Sequence, residues 1–375
     1  MKAYDSIKST PVILYGAGGF GVFAATILRG CGILPAYFCD KNKTGVEPLT
    51  GLQIISPQEL REYREYREWN VIITSENFYE EIRQDLTMLG IDKTNVFCYN
   101  DVILSIPDES FLKGTFKSKL GYDLNLENPK TFNEKLNWFK LNNRNPRYTK
   151  MADKYEVREL ISDRIGDEYL VPLYGAWNAV DEIDFKGLPE QFVLKCSHDS
   201  GSVVVCKDKQ KFDANTVKDK LTKNLNSNWY WHSREWVYKD IKPRIIAQKY
   251  LGENINDYKI MTFQGEPKII QVVYDLFVEQ KRNLYTTDWE YIPVAQHFPT
   301  DPEHIIEKPA NLGKMLEFSR ILAKGIPHVR VDFWEVDEKF YFSEFTFYSD
   351  AGFSKFDPYK YDELLGNWIE LPVKN

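Results

Sequence analysis

The first hundred residues alternate short apolar runs with helix-forming stretches. PVILY, ending at Tyr15, precedes GAGGFG and the helical FAATILRGCG, and LPAYFCD is a second apolar run ending at Asp40. NVIITS and NVFCYN repeat the apolar pattern further along. Apolar runs that alternate with helices are typical of a parallel sheet with crossover helices. Residues 1–106 are therefore predicted to form a small α/β domain.

The pattern changes after residue 106, and residues 107–375 are predicted to form a second domain. TFNEKLNWFKLNNRNP favours a helix, with Thr131 as the N-cap and Glu134 completing a capping box. MADKYEVRELISDRIG predicts a second helix. Strand patterns then dominate, in FVLKCSHDSGSVVVC, RIIAQKYLG and DYKIMTFQGEPKIIQVVYD. This order favours an α+β arrangement.

The run HVRVDFWEVDEKFYFSEFTFYSDAG predicts a hairpin that turns at EVDE. Arg330 and Asp332 alternate with apolar residues on the first strand, and Glu344 and Thr346 do so on the second. The hairpin would bring Asp332 close to Glu344. Paired carboxylates in aromatic strands suit Mg²⁺ holding a nucleotide phosphate. A half-buried hairpin whose charges face water is the alternative.

Gly16, Gly18 and Gly21 form G-x-G-x-x-G between the first strand and the first helix. Such a turn favours an anion at the helix start, and Asp40 is placed to accept from a ribose hydroxyl. A turn kept for strand–helix packing is the alternative. The stretch resembles small Rossmann-like, nucleotide-sugar-binding domains attached to sugar-modifying enzymes of bacterial polysaccharide pathways. That resemblance implies a uridine-diphosphate sugar in preference to NAD.

Charge and cysteine usage narrow the function classes. The net charge of −7, with no basic block, argues against nucleic acid as a partner. Five cysteines without metal-ligand spacing suggest reduced thiols. The N-terminal stretch lacks the apolar core of a signal peptide, and no apolar run is long enough to span a membrane. A cytoplasmic enzyme is therefore expected, with a homodimer as the default oligomeric state.

The order of motifs in the second domain resembles the ATP-grasp superfamily, and most closely its TupA-like branch of polysaccharide and teichuronopeptide biosynthesis. ADKYEVRELI and FVLKCSHDSGSV each supply a lysine, the second before a small-residue loop. RIIAQKYLGE, DYK, RVD and EFT follow in the order of the superfamily's hinge, basic residue and metal motifs. The resemblance covers about residues 110–375 and implies an ATP-grasp fold that uses ATP and Mg²⁺.

The resemblance also implies roles for individual residues. Phosphates of ATP would be bound by two lysines and a lid, the adenine by the hinge and the ribose by a glutamate. These nucleotide-binding residues are Lys154, Lys195, Ser200, Gly201, Ser202, Gln248, Lys249, Tyr250, Leu251 and Glu253. Catalytic contacts to the γ-phosphate would come from Lys259, Arg330 and Arg282. The metal ligands would be Asp332 and Glu344, with Thr346 in the usual place of an asparagine.

The implied chemistry is carboxylate–amine ligation through an acyl phosphate, which needs no protein nucleophile. The pairing of domains suggests a hexuronic acid, or its uridine-diphosphate form, as the acid, and an amino acid or small amine as its partner. Three alternatives remain: a sugar or small-molecule kinase, a glycosyltransferase of polysaccharide synthesis, and a nucleotide-sensing module. Removal of Arg330 or Asp332 is expected to cost several kcal/mol at the transition state and to leave folding largely intact.

Overall fold

The computed structural model describes residues 2–62, 64–75, 78–253, 255–274 and 281–372. By its contacts the chain forms two compact units, Met1–Leu124 and Asn125–Asn375. The functional division at residue 106, with nucleotide binding in the first part, stays a prediction.

The first unit is built on a six-stranded sheet in the order β3-β4-β2-β1-β5-β6. Its strands are β1 (Val12–Tyr15), β2 (Pro35–Cys39), β3 (Gly45–Val46), β4 (Gln53–Ile55), β5 (Asn70–Ile73) and β6 (Val96–Cys98). All neighbouring pairs are parallel except β3 with β4. Every residue of β1 is buried, as expected for a central strand of a parallel sheet with helices on its faces. The predicted parallel sheet is thus confirmed.

Six helices accompany this sheet. They are α1 (Lys2–Lys8), α2 (Gly19–Gly30), α3 (Pro57–Glu62), α4 (Tyr79–Met88), α5 (Tyr99–Ser105) and α6 (Asp108–Leu120). Helix α6 packs against α2 and therefore lies in the first unit.

The second unit contains a four-stranded sheet, β7-β10-β8-β9, a six-stranded sheet, β14-β13-β12-β11-β16-β17, and a two-stranded sheet, β15-β18. The strands are β7 (Leu173–Trp177), β8 (Phe192–Cys196), β9 (Val204–Cys206), β10 (Ile245–Lys249), β11 (Asn256–Phe263), β12 (Glu266–Tyr274), β13 (Lys281–Tyr285), β14 (Tyr291–Ile292), β15 (Ala295–Gln296), β16 (His328–Val336), β17 (Lys339–Thr346) and β18 (Phe356–Asp357). The six-stranded sheet is antiparallel throughout.

The helices of this unit are α7 (Phe132–Asn142), α8 (Pro146–Ala152), α9 (Val157–Ile165), α10 (Ala214–Leu225), α11 (Tyr230–Ser233), α12 (Leu312–Ala323) and α13 (Lys360–Asn367). The capping box predicted at the start of α7 is present. The single helix predicted from MADKYEVRELISDRIG is wrong, because the chain leaves helical geometry at Asp153, whose carboxylate accepts from the N–H of Tyr155. Lys154 therefore lies in the turn between α8 and α9.

The two faces of the six-stranded sheet differ in polarity. Ile260, Val331 and Phe345 belong to the apolar core on one face, where α12 packs with Met315 and Leu322. Residues of the opposite face alternate with them along the strands and are mainly polar. None of the described helices is long and apolar enough to cross a membrane.

Candidate active site

A row of polar side chains crosses the polar face of the six-stranded sheet in the second unit, opposite the face that packs against α12. Strand pairing places Gln271 beside Lys259, Lys259 beside Asp332, and Asp332 beside Glu344. Paired residues of antiparallel strands share a face and lie close together. The hairpin prediction that brought Asp332 to Glu344 is confirmed.

Arg330 and Asp332 form a buried two-point ion pair at the centre of this face. Arg330 donates from Nε to Oδ1 of Asp332 at 2.8 Å and from Nη2 to Oδ2 at 2.7 Å. Nη2 also donates to the Thr346 hydroxyl at 2.9 Å, and Lys259 Nζ lies 3.3 Å from Asp332 Oδ2. Burial opposes ionisation of Asp332, yet Arg330 and Lys259 hold its pKa below the usual value. The carboxylate is therefore ionised and fully compensated.

Lys259 has a second acidic partner, Asp257, on the same strand. Its Nζ lies 2.6 Å from Asp257 Oδ2. Burial tends to lower the pKa of Lys259, but the charges of Asp332 and Asp257 raise it overall. The ammonium thus stays charged while it is largely removed from water, which strengthens its interaction with any phosphate placed above the sheet. The pattern DYK shows Asp257 on the face of Lys259, although the sequence assigned it no role.

Glu344 is the more open of the two candidate metal ligands. Its side chain keeps 35% of its surface exposed, and Lys154 Nζ lies 3.6 Å from Oε2. Lys154 also donates to the backbone oxygen of Asp199 at 2.6 Å, which ties it to the loop after β8. Because Lys154 borders both the loop and Glu344, it is placed at the edge of the polar face as the resemblance required.

Lys195 approaches the same region from the end of β8. Its Nζ lies 5.0 Å from the centre of the Trp334 ring on β16. Burial, and then the nearby charge of Lys154, lowers the pKa of Lys195 to about 8. A charged lysine held at such a cost is poised to gain an anionic partner.

The small-residue loop contains two different kinds of position. Ser200 and Gly201 are exposed, and Gly201 has a positive φ of 91°. Ser202 is buried, accepts from the N–H of Cys196 at 2.8 Å and donates to Asp199 Oδ1 at 2.6 Å. Ser202 therefore holds the base of the loop, while Ser200 and Gly201 form its exposed tip. The lid role of all three stays a prediction.

The hinge residues predicted to hold adenine lie at the end of β10, an interior strand of the four-stranded sheet, and in the segment that follows it. Gln248 is buried and pairs with Val193, next to Lys195 on the same strand face. Lys249 and Tyr250 line a cavity of about 560 Å³, and Leu251 follows them half-buried. The ribose candidate Glu253 is exposed and paired with Lys207.

Arg282 lies on the same sheet face, on the side of Lys259 away from Asp332. Its partner, Asp350, was not predicted from the sequence. Its Nη1 and Nη2 donate to Asp350 at 2.8 and 3.2 Å. Asp350 lies in the turn Ser349–Gly352 with a positive φ of 47°, a conformation unusual for a residue other than glycine. Because that turn has no glycine at this position, neither its positive φ nor the place of Asp350 in the site could be predicted from the sequence.

The donor set fits a magnesium ion bound together with phosphate. The described part of the chain has no group of three histidine, cysteine or acidic side chains placed to hold a metal. Mg²⁺ bound to nucleotides usually takes only one or two carboxylates and completes its shell with phosphate and water. Glu344 matches that requirement, whereas the adjacent Asp332 is buried with both oxygens bound to cationic side chains, and Thr346 is already an acceptor for Arg330.

The glycine turn of the first unit is shaped by a positive φ and by close backbone packing, and its role in anion binding stays a prediction. Gly16 has a positive φ of 110°, and a Cβ on Gly21 would lie 1.9 Å from the Gly16 oxygen. Gly18 caps α2 and has open space around it. A cavity of about 490 Å³ adjoins it, lined also by Lys43. Asp40 accepts from the N–H groups of Ala17, Asn42 and Lys43, so its carboxylate already organises the turn.

Comparison with known proteins adds a family. A sequence model described as TupA-like ATP-grasp matches residues 134–370, and one described as C2185-like, N-terminal, matches residues 8–97. No curated protein sequence matches the chain.

Three solved structures illustrate the similarity. D-alanine–D-alanine ligase from Bacillus anthracis is 16% identical, with a TM-score of 0.29 over 90% of this chain and 85% of that chain. N5-carboxyaminoimidazole synthase from Aspergillus clavatus is 10% identical, with a TM-score of 0.34 over 97% and 78%. L-amino acid ligase from Bacillus licheniformis is 12% identical, with a TM-score of 0.34 over 92% and 69%. Because these TM-scores are low, the family assignment rests on the sequence match.

Proposed function

Because this chain belongs to the TupA-like ATP-grasp family, we propose that it joins a sugar carboxylate to an amine at the polar face of its six-stranded sheet. It is an ATP-grasp ligase, and enzymes of this kind use ATP with Mg²⁺. The observation that carries the proposal is the compensated cluster of Arg330, Asp332 and Lys259 beside Glu344.

The cluster supplies what phosphoryl transfer requires. ATP supplies the γ-phosphoryl group that activates the carboxylate, and Mg²⁺ neutralises phosphate charge. Lys259 and Arg330 are fixed by Asp332, so they present positive charge with little reorganisation. Lys154 and Lys195 lie on the side of Glu344 and Trp334, where the α- and β-phosphates are proposed to bind. The amine then displaces phosphate from the acyl phosphate, and no protein nucleophile is needed.

The acid is proposed to be a hexuronic acid or its uridine-diphosphate form, in capsular or surface polysaccharide synthesis. The support is the glycine turn with its adjoining cavity, which suits the diphosphate of a nucleoside diphosphate sugar. An amino acid or small amine is proposed as the second substrate. A cytoplasmic location and a homodimer complete the proposal.

The test is release of ADP and phosphate from MgATP by the full chain. Uronic acids and their uridine-diphosphate forms are combined with a panel of amines and amino acids. Turnover that requires both an acid and an amine is expected. ADP formed with a sugar but without an amine would identify a kinase instead, and no turnover with any acid would remove the uronate from the proposal.

A matched pair of variants locates the chemistry. Glu344→Gln removes one proposed metal ligand and is expected to lower turnover by about 100-fold or more. Glu317→Gln changes the same kind of side chain at an exposed position of α12 and should leave turnover unchanged. Equal activity of both variants would contradict the assignment of Glu344.

A further inference from the structure

Three polar atoms on the β11–β12–β13 side of the sheet face have no hydrogen-bond partner in the described part of the chain. They are Oδ1 of Asp257, Oε1 of Gln271 and Nε of Arg282. Gln271 is fully buried and Arg282 is 4% exposed. A buried polar atom without a partner costs about 1–3 kcal/mol, so three on one face call for an explanation.

Strand register places the three residues around Val273. Val273 pairs with Asp257 on one side and with Arg282 on the other. Gln271 pairs with Lys259 and Leu284, and is thus the diagonal neighbour of both Asp257 and Arg282. Diagonal neighbours lie about 7–8 Å apart. The unpartnered atoms therefore belong to one patch of the sheet face.

The charges of this patch are already neutralised within the protein. Asp257 is paired with Lys259 through its other oxygen, at 2.6 Å. Arg282 is paired with Asp350 through both terminal nitrogens. What remains is two acceptors and one donor without excess charge. Such a set suits hydroxyl groups, which both donate and accept, better than an ammonium or a carboxylate.

The side chains around the patch are held in place by a continuous network. Gln271 donates from Nε2 to the side-chain oxygen of Gln296, and Gln296 donates to Asp350 Oδ2 at 3.2 Å. Ser354 also donates to Asp350 Oδ2, at 2.9 Å. Because each of these polar groups has a fixed partner, Gln271 Oε1 and Arg282 Nε keep their orientation without a ligand.

Gln271 and Arg282 lie on the opposite side of Lys259 from the residues proposed to hold the nucleotide, whereas Asp257 is on the strand of Lys259 and pairs with Trp334. Across the face the order is Glu344, Asp332, Lys259 and Gln271. Lys154 and Lys195 approach the Glu344 side. A phosphoryl group transferred at Lys259 therefore has the nucleotide on one side and Gln271 and Arg282 on the other, with Asp257 between them.

We propose that Asp257, Gln271 and Arg282 bind the hydroxyl groups of the acid substrate, so that the enzyme selects a polyhydroxylated carboxylate such as a sugar acid. This inference rests on the proposed function and names the residues that give it specificity. Asp257, whose side chain is 20% exposed, forms the open edge of the patch, and Gln271 and Arg282 form its floor.

The test is equilibrium binding to the full chain, measured by calorimetry in the presence of MgADP. The probes are D-glucuronate, D-galacturonate and D-mannuronate, with tetrahydropyran-2-carboxylate as the analogue without ring hydroxyls. At least one sugar acid is expected to bind about tenfold or more tighter than the analogue, since one or two hydrogen bonds are worth that much. Equal affinity for all four would overturn the proposal without any variant being needed.

Gln271→Met keeps the length of the side chain and removes its acceptor. We expect it to weaken sugar-acid binding about tenfold and to leave binding of the analogue unchanged, whereas Gln210→Met, an exposed position, changes neither. Equal weakening of both ligands would show a structural role only and would overturn the proposal.

ADP release, measured separately, distinguishes this failure from failure of the proposed function. Turnover with a carboxylate, but without preference for acids that carry hydroxyl groups, would reject the hydroxyl-binding role of the patch and keep the ligase assignment. Gln271-dependent binding of a sugar acid without turnover keeps the patch and removes the ligase assignment for that acid.

Discussion

The glycine turn of the first unit and the polar sheet face of the second are both proposed to bind phosphate, and they would do so in different ways. The turn offers backbone N–H groups at the start of α2. The Asp40 carboxylate accepts from one N–H of the turn, that of Ala17. The sheet face offers charged side chains, and Lys259, Arg330 and Asp332 at its centre are each largely buried against an opposite charge. In the turn, ligand contacts and fold are separable residue by residue. On the sheet face, the same charged atoms would both stabilise the fold and contact the ligand.

The largest expected effect breaks the ion pair at the centre of the sheet face. Arg330→Met leaves Asp332, which is fully buried, with a reduced set of partners. Breaking a buried pair on one side costs about 3–5 kcal/mol. We expect the free energy of unfolding of the second unit to fall by that amount, measured by chemical denaturation, together with loss of turnover.

A double variant separates the two roles of this pair. Arg330→Met with Asp332→Leu removes the uncompensated charge, so most of the lost stability should return while turnover stays absent. If Arg330→Met alone were as stable as the unchanged protein, the buried charges would not hold this face together.

The sequence places Arg330 and Asp332 on one strand face and predicts that folding survives their removal, whereas the burial of Asp332 predicts a loss of stability. The alternation of RVD specifies a shared face, because strand periodicity is local. It does not specify that Asp332 is fully buried, since burial depends on packing with β11 and other segments that are remote in sequence. Lys154 and Asp350 depend likewise on backbone turns that strand or helix periodicity does not encode.

The next effect tests whether fold and ligand contacts are separable in the glycine turn. In Gly21→Ala the new methyl group would lie 1.9 Å from the Gly16 oxygen, so the first unit should lose about 1–3 kcal/mol from overpacking. Gly18→Ala meets nothing within 4 Å, so it should cost less than Gly21→Ala, at most about 1 kcal/mol because alanine is a poorer N-cap residue than glycine. Thermal unfolding measures both.

Binding of uridine diphosphate adds the functional half of that test. Gly18→Ala places a methyl group beside the cavity and is expected to weaken binding while the fold is retained. If Gly18→Ala lowered stability as much as Gly21→Ala, the turn would combine both roles as the sheet face does.

A smaller effect follows from the ionisation of Lys195. Its pKa of about 8 means that the ammonium is mostly charged at pH 7 and loses its proton as the pH rises through 8. Bound phosphate favours the charged form, so affinity for MgATP should fall about tenfold between pH 7 and 9. Lys195→Arg keeps its charge over this range and should show no such fall. Identical pH profiles would place Lys195 away from the phosphates.

The smallest expected effect concerns Glu253. Its ion pair with Lys207 is exposed to solvent, whereas the ion pair of Asp332 is buried. An exposed ion pair contributes little to stability, because water and salt screen it. Glu253→Gln should therefore leave the unfolding midpoint unchanged. If Glu253 contacts the ribose of ATP, the KM for ATP should rise severalfold at low and high salt alike. Asp208→Asn, a nearby half-buried acid beside the same cavity, is the control. An unchanged KM would show that Glu253 does not contact the nucleotide. Nucleotide recognition at the hinge would then rest on Gln248, Lys249 and Tyr250.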